Sequence, residues 1–180
     1  MEGEERRGRG FLEFIKVVVI SLVIVLPIRA YVAQPFIVEG DSMEPNFSDG
    51  QYLIIDELSY NFKNPERGDV IVLRSPMQPA IFFIKRIIGL PGEEIKIEGG
   101  KIIITGTNSE RIILNEEYIP SGLDTTPNSA TKLNSSEYFV LGDNRNRSSD
   151  SRAWGPLPQD KITGRAFLRL WPLSKISLLK

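Results

Sequence analysis

The chain reads as mainly β, with a single apolar helix at its N-terminus. Three observations lead there. After Val32, short runs of β-branched and aromatic residues recur, several with alternating polarity, and Gly, Pro, Asn or Asp bounds them. The same stretch holds few amphipathic helical periods. The one long apolar segment, Phe11 to Tyr31, precedes all of them.

Met1 to Gly10 is charged and includes Arg6, Arg7 and Arg9. Phe11 to Tyr31 has an uncharged centre from Val17 to Ile28. A bilayer needs about 20 apolar residues. Lys16 and Arg29 stand near the two ends, where long cationic side chains can reach the headgroups. A cleaved leader would need small residues at the first and third positions before the cut. A cut after Ala33 would place the bulky Tyr31 third. The segment is therefore expected to be an uncleaved, single-pass anchor in the cell membrane. The arginines then put residues 1–10 in the cytoplasm and residues 32–180 outside it. A buried core helix is the competing reading.

The expected strands follow in order. Phe36 to Gly40 alternates. Tyr52 to Ile55 is a short apolar run, and Val70 to Leu73 is a strand after a turn-rich Asn64 to Asp69. Ile81 to Ile84 leads directly into Lys85. Ile95 to Ile97 and Ile102 to Ile104 flank Gly99-Gly100 as a hairpin. Ile112 to Leu114 is short. Ser121 to Asn134 is polar and expected as a surface loop. Tyr138 to Leu141 and Ala166 to Leu170 close the body.

Composition narrows the chemistry. The chain has 180 residues, 22 basic against 23 acidic, so no global field recruits nucleic acid. A body of roughly 145 residues can bury a real core. There is no cysteine, so neither disulfides nor a thiol nucleophile is available. Histidine is absent too, which excludes a Ser-His-Asp triad and a His-ligated zinc protease. No metal or cofactor is expected. A serine nucleophile would have to take Lys or a carboxylate as its base.

Four stretches carry the remaining signal: Gly40-Asp41-Ser42-Met43-Glu44-Pro45-Asn46, Arg67 to Val72, Lys85 to Gly92, and Gly142 to Arg152. Pro45 restricts its own φ and that of Glu44, so the first is a pre-set turn that can hold a hydroxyl in the open. Gly40 permits close backbone approach. A polar surface turn is the plain alternative. Lys85 lies between Ile81-Phe82-Phe83-Ile84 and Ile87-Ile88, and an apolar setting lowers a lysine pKa. A surface lysine at a strand edge is the plain alternative there.

In this order, behind an apolar N-terminus, the four stretches resemble the sequence boxes of type I signal peptidases, membrane-bound Ser/Lys proteases. Each box alone is weak; the ordered set is specific and spans Phe11 to Trp171. The resemblance implies a β-rich catalytic domain of coiled antiparallel sheets. It implies Ser42 as nucleophile, Lys85 as base and Ser148 as the hydroxyl that orients the amine. Asp150 and Arg152 would brace the last loop, and Arg86 could pair with Asp150. Asp69 reads as turn support.

The same resemblance implies cleavage after small-x-small sequences, so the partners would be preprotein signal peptides with small residues at positions −1 and −3, and a lipid bilayer. Phe36, Val38, Gly40, Met43, Val72, Phe83 and Ile84 match substrate-binding positions; ordinary core residues are the alternative. The strand before Gly40 could pair with substrate backbone. The Ser42 N–H is one oxyanion donor. Some members carry a serine two residues before the nucleophile as the second; Gly40 stands there, so the second donor is unassigned and Gly40→Ser is expected to be tolerated and faster.

Ser-x-x-Lys also occurs at Ser129 to Lys132 and Ser177 to Lys180, without the companion motifs of the penicillin-binding enzymes, and is read as chance. The rival functions are a self-cleaving Ser/Lys protease and an inactive membrane-tethered scaffold.

Overall fold

The computed structural model describes residues 2–27 and 33–179. Helix α1 (Glu2–Pro27) runs without a break across the expected division between residues 1–10 and 11–31. Its side chains from Leu12 to Val23 are exposed. Among the described residues no helix is long and apolar enough to cross a membrane. The last part of the expected anchor, residues 28–31, lies outside the described residues.

Among the described residues twelve strands follow, all paired antiparallel. The first four are β1 (Ala33–Ile37), β2 (Tyr52–Asp56), β3 (Val70–Arg74) and β4 (Phe82–Gly89). Then come β5 (Glu94–Glu98), β6 (Lys101–Thr105), β7 (Arg111–Ile113) and β8 (Ser129–Lys132). The last are β9 (Glu137–Leu141), β10 (Leu157–Pro158), β11 (Ile162–Trp171) and β12 (Ser177–Leu178). The larger sheet has the order β1-β2-β11-β3-β4-β9-β10, with β12 beside β11. The smaller sheet is β7-β6-β5-β8.

Burial follows the sequence pattern. β3 is central, between β11 and β4, and buries Val70, Ile71, Val72 and Leu73 in succession. A strand covered on both faces needs such a continuous apolar run. β2 buries Leu53 and Ile55 alternately. Val38, Met43, Phe47, Leu53, Val70, Val72 and Ile84 share one core, which lies directly beneath the Ser42 turn. A second core packs the smaller sheet against Ile88, Phe139 and Leu141.

Two expectations about local structure change. The polar segment Ser121 to Asn134 contains β8, which pairs with β5 along Ser129 to Lys132. Backbone pairing at a sheet edge needs no apolar side chains, so polarity concealed this strand. It also places that Ser-x-x-Lys match on a strand rather than at a helix start. In the last box, Ser151–Trp154 forms the short helix α2, capped by Asp150, whose side chain accepts from the Arg152 N–H.

Candidate active site

The Ser42 turn is built from its apolar residues upward. Met43 is completely buried and Phe47 nearly so, which pins the turn into the core. The Phe47 N–H donates to the Met43 carbonyl at 2.9 Å and the Glu44 N–H to the Asp41 carbonyl at 3.1 Å. Ser42, directly before the first of these anchors, remains partly exposed. Met43 is core and is not among the residues that line the cleft. Its expected role in substrate binding is corrected, because its side chain is what holds the turn down.

Lys85 arrives from β4, which is registered on β3 with Ile71 opposite Lys85 and Val72 opposite Ile84. The side chain is only 3% exposed. Its Nζ stands 2.8 Å from Ser42 Oγ and 2.8 Å from the Ile84 carbonyl oxygen. It also lies 5.3 Å from the centroid of the Phe83 ring. Burial pushes the amine down to about 8, while the Asp150 and Asp143 carboxylates pull it back upward. One N–H of the neutral amine can donate to Ile84, which leaves its lone pair for the Ser42 hydroxyl. The surface-lysine alternative does not hold.

The Gly142 to Arg152 loop clamps this pair from the side. The Asn144 N–H donates to the Ser42 carbonyl at 3.0 Å, and Asn144 Nδ2 donates to the Asp41 carbonyl at 3.1 Å. Asn46 Nδ2 donates to Asp143 Oδ2 at 2.8 Å and to the Tyr118 carbonyl at 2.7 Å. Asp150 accepts from Arg152 Nε and Nη2, at 2.8 and 2.7 Å, and from the Gly142 N–H at 3.1 Å. Arg152 Nη2 also donates to the Arg145 carbonyl at 2.8 Å.

Arg86 does not pair with Asp150. Its Nε and Nη2 grip Asp143 at 2.8 and 2.7 Å, and its plane covers the Tyr118 ring at 4.0 Å. Asp150 is already taken by Arg152, which leaves Asp143 as the carboxylate opposite Arg86. Ser148 is brought to the site, but it makes no hydrogen bond to Lys85. Its buried hydroxyl has no partner among the described residues. It lies against Gly142, where an added Cβ would overlap both Ser148 Oγ and the Ser42 carbonyl. Asp69 supports its turn, accepting from Tyr60 Oη at 2.8 Å and the Glu66 N–H at 2.9 Å.

Phe36, Val38, Val72, Phe83 and Ile84 line a cleft that ends at Ser42 and Lys85. The sequence reading missed Ile37, Glu39, Leu53, Ala80, Ile81 and Phe82 on the same walls. Phe36 and Phe82 meet edge to face across it, with centroids 5.4 Å apart. Asn46, Asn144 and Asp143 were also missed as site supports. Their partners are far apart in sequence, and no local spacing announces such pairs.

Gly40 does not line the cleft. Its N–H donates to Asp49 Oδ1 at 2.7 Å and its φ is +80°. A side chain there meets no atom but must adopt a left-handed backbone. The expectation of a tolerated, faster Gly40→Ser is therefore revised. That variant should lose roughly 1–2 kcal/mol of stability and a few degrees of Tm, readable in a thermal melt.

Comparison with known proteins gives a consistent picture. Residues 11–171 match the family described as signal peptidase, peptidase S26. The chain is 38% identical over 176 residues to the probable signal peptidase I-2 of Synechocystis sp., covering 94% of this chain and 77% of that one. It is 38% identical to the signal peptidase I of Leptolyngbya laminosa, covering 93% and 83%. It is 30% identical to the signal peptidase IB of Staphylococcus aureus, covering 93% of each.

Proposed function

We infer, from the premise that this chain belongs to the signal peptidase family, peptidase S26, that Ser42 and Lys85 carry its reaction. It is a signal peptidase I, a serine peptidase that removes signal peptides from preproteins. The observation that supports the residue assignment is a buried lysine amine 2.8 Å from a partly exposed serine hydroxyl.

In this reading the neutral Lys85 amine takes the Ser42 proton as Oγ attacks the scissile carbonyl. The Ser42 N–H makes no hydrogen bond among the described residues, so it can donate to the oxyanion. Lys85 then returns the proton to the leaving amine. The acyl-enzyme is hydrolysed by water activated on the same amine. Asn144 and Asn46 act through the backbone of the turn, by holding the hydroxyl against Lys85.

The substrate lies extended in the cleft, with small residues at −1 and −3 facing the walls formed by Phe36, Val38, Val72 and Ile84. The free edge of β1 supplies backbone partners. α1 and the apolar residues after it anchor the protein in a membrane. Arg6, Arg7 and Arg9 stay on the cytoplasmic side and the β domain is extracytoplasmic.

The test is incubation of the full chain in detergent micelles with a preprotein, followed by N-terminal sequencing of the product. One cut after a small-x-small sequence is expected. No cut across a panel of preproteins would favour the inactive scaffold. The rate should rise with pH through about 8 and then level, because only the neutral form of Lys85 accepts the proton and burial holds its pKa there. A rate independent of pH between 6 and 10, to take about two units either side of that value, would exclude a titrating lysine base.

A further inference from the structure

We propose that Glu39 selects a basic residue at the second position before the scissile bond. The proposal rests on the peptidase reading above and adds a determinant to it.

Backbone geometry comes first. The Val38 N–H donates to the Gln51 carbonyl, and the Gly50 N–H donates to the Val38 carbonyl, both at 2.9 Å. Val38 thus turns its backbone groups toward β2. In an extended strand the neighbouring residues turn theirs the other way, so Ile37 and Glu39 present N–H and C=O to the open side. That side is the cleft, whose opposite wall is Ala80 to Lys85.

Side chains alternate as well. Val38 points into the core, whereas Ile37 is 52% exposed and Glu39 is exposed on the opposite face. A substrate strand pairing with this edge obeys the same alternation. Its −1 and −3 side chains go inward with Phe36 and Val38. Its −2 side chain emerges on the face of Ile37 and Glu39. Glu39 is the outward residue of this edge nearest Ser42 in the chain, and −2 is the outward substrate position nearest the scissile bond.

Charge supplies the selectivity. Glu39 and Lys85 are the charged residues that line the cleft. Lys85 is spent on Ser42 and Ile84. Asp41, two residues on from Glu39, is neutralised by Arg147 at 2.9 Å. Glu39 forms no ion pair among the described residues. A carboxylate left open beside a binding edge attracts a cationic neighbour and repels an anionic one.

The experiment uses the full chain in detergent and three peptides alike except for Lys, Gln or Glu at −2. At low salt kcat/KM should fall in that order, with Lys over Glu by roughly two- to fivefold, as expected for exposed pairs. High salt should compress the ratio. Glu39→Gln should remove the preference and Glu39→Lys should reverse it. Equal rates for the three peptides, or the same order retained by Glu39→Lys, would overturn the proposal while the peptidase reading stands. If no peptide is cut, both fall together.

Discussion

Ser42→Ala and Lys85→Ala should each reduce preprotein cleavage by about 10⁴-fold or more, and the double variant should be no slower than either. The two groups act on one proton, so removing one already removes the function of the other. Lys85→Arg is the more discriminating change. It keeps the positive charge and much of the length, yet guanidinium stays protonated and cannot serve as a base. It also forces a permanent charge into a position where lysine is only 3% exposed and can discharge itself. Cleavage should be lost as fully as in Lys85→Ala. Circular dichroism provides the fold control, since Ser42 is partly exposed and its truncation opens no core cavity. Near-normal cleavage by Lys85→Arg would remove Lys85 from the mechanism. Full activity in Ser42→Ala would remove the serine.

How much of this is legible in the sequence depends on the kind of contact involved. The strands that bury apolar runs announce themselves, because burial is written into their composition: Val70 to Leu73, Ile95 to Ile97 and Tyr138 to Leu141 stand close to where they were expected. β8 did not, since an edge strand of Ser, Ala, Thr and Lys gains its pairing from backbone alone. The Ser42 and Lys85 pair was legible only through the resemblance of four ordered boxes. Nothing in their separation along the chain requires a 2.8 Å approach. The partner of Arg86 is hidden for the same reason. Two aspartates, Asp143 and Asp150, lie in one loop, and only the fold shows that Arg152 closes on the second. In sequence Gly40 shows only a missing side-chain donor. Its positive φ shows a backbone requirement that a sequence does not print.

The Arg86 and Asp143 pair carries the second large effect. Its side chains are 11% and 1% exposed and joined by two hydrogen bonds. Removing one partner strands the other, and a buried pair broken this way loses about 3–5 kcal/mol. Arg86→Ala should therefore lower Tm by on the order of 10 °C. Activity should fall too, by a separate route. Asp143 Oδ2 accepts from Asn46 as well as from Arg86, so the pair fixes the far end of the Ser42 turn. The two consequences come apart in Arg86→Met/Asp143→Leu. Apolar replacement of both partners removes the stranded charge and should restore most of the lost stability. It cannot restore the acceptor for Asn46, so kcat should stay low while KM changes little. Thermal melts and steady-state kinetics on the two variants read this directly. Recovery of kcat together with Tm in the double variant would show that Asp143 only stabilises the fold and has no part in positioning Ser42.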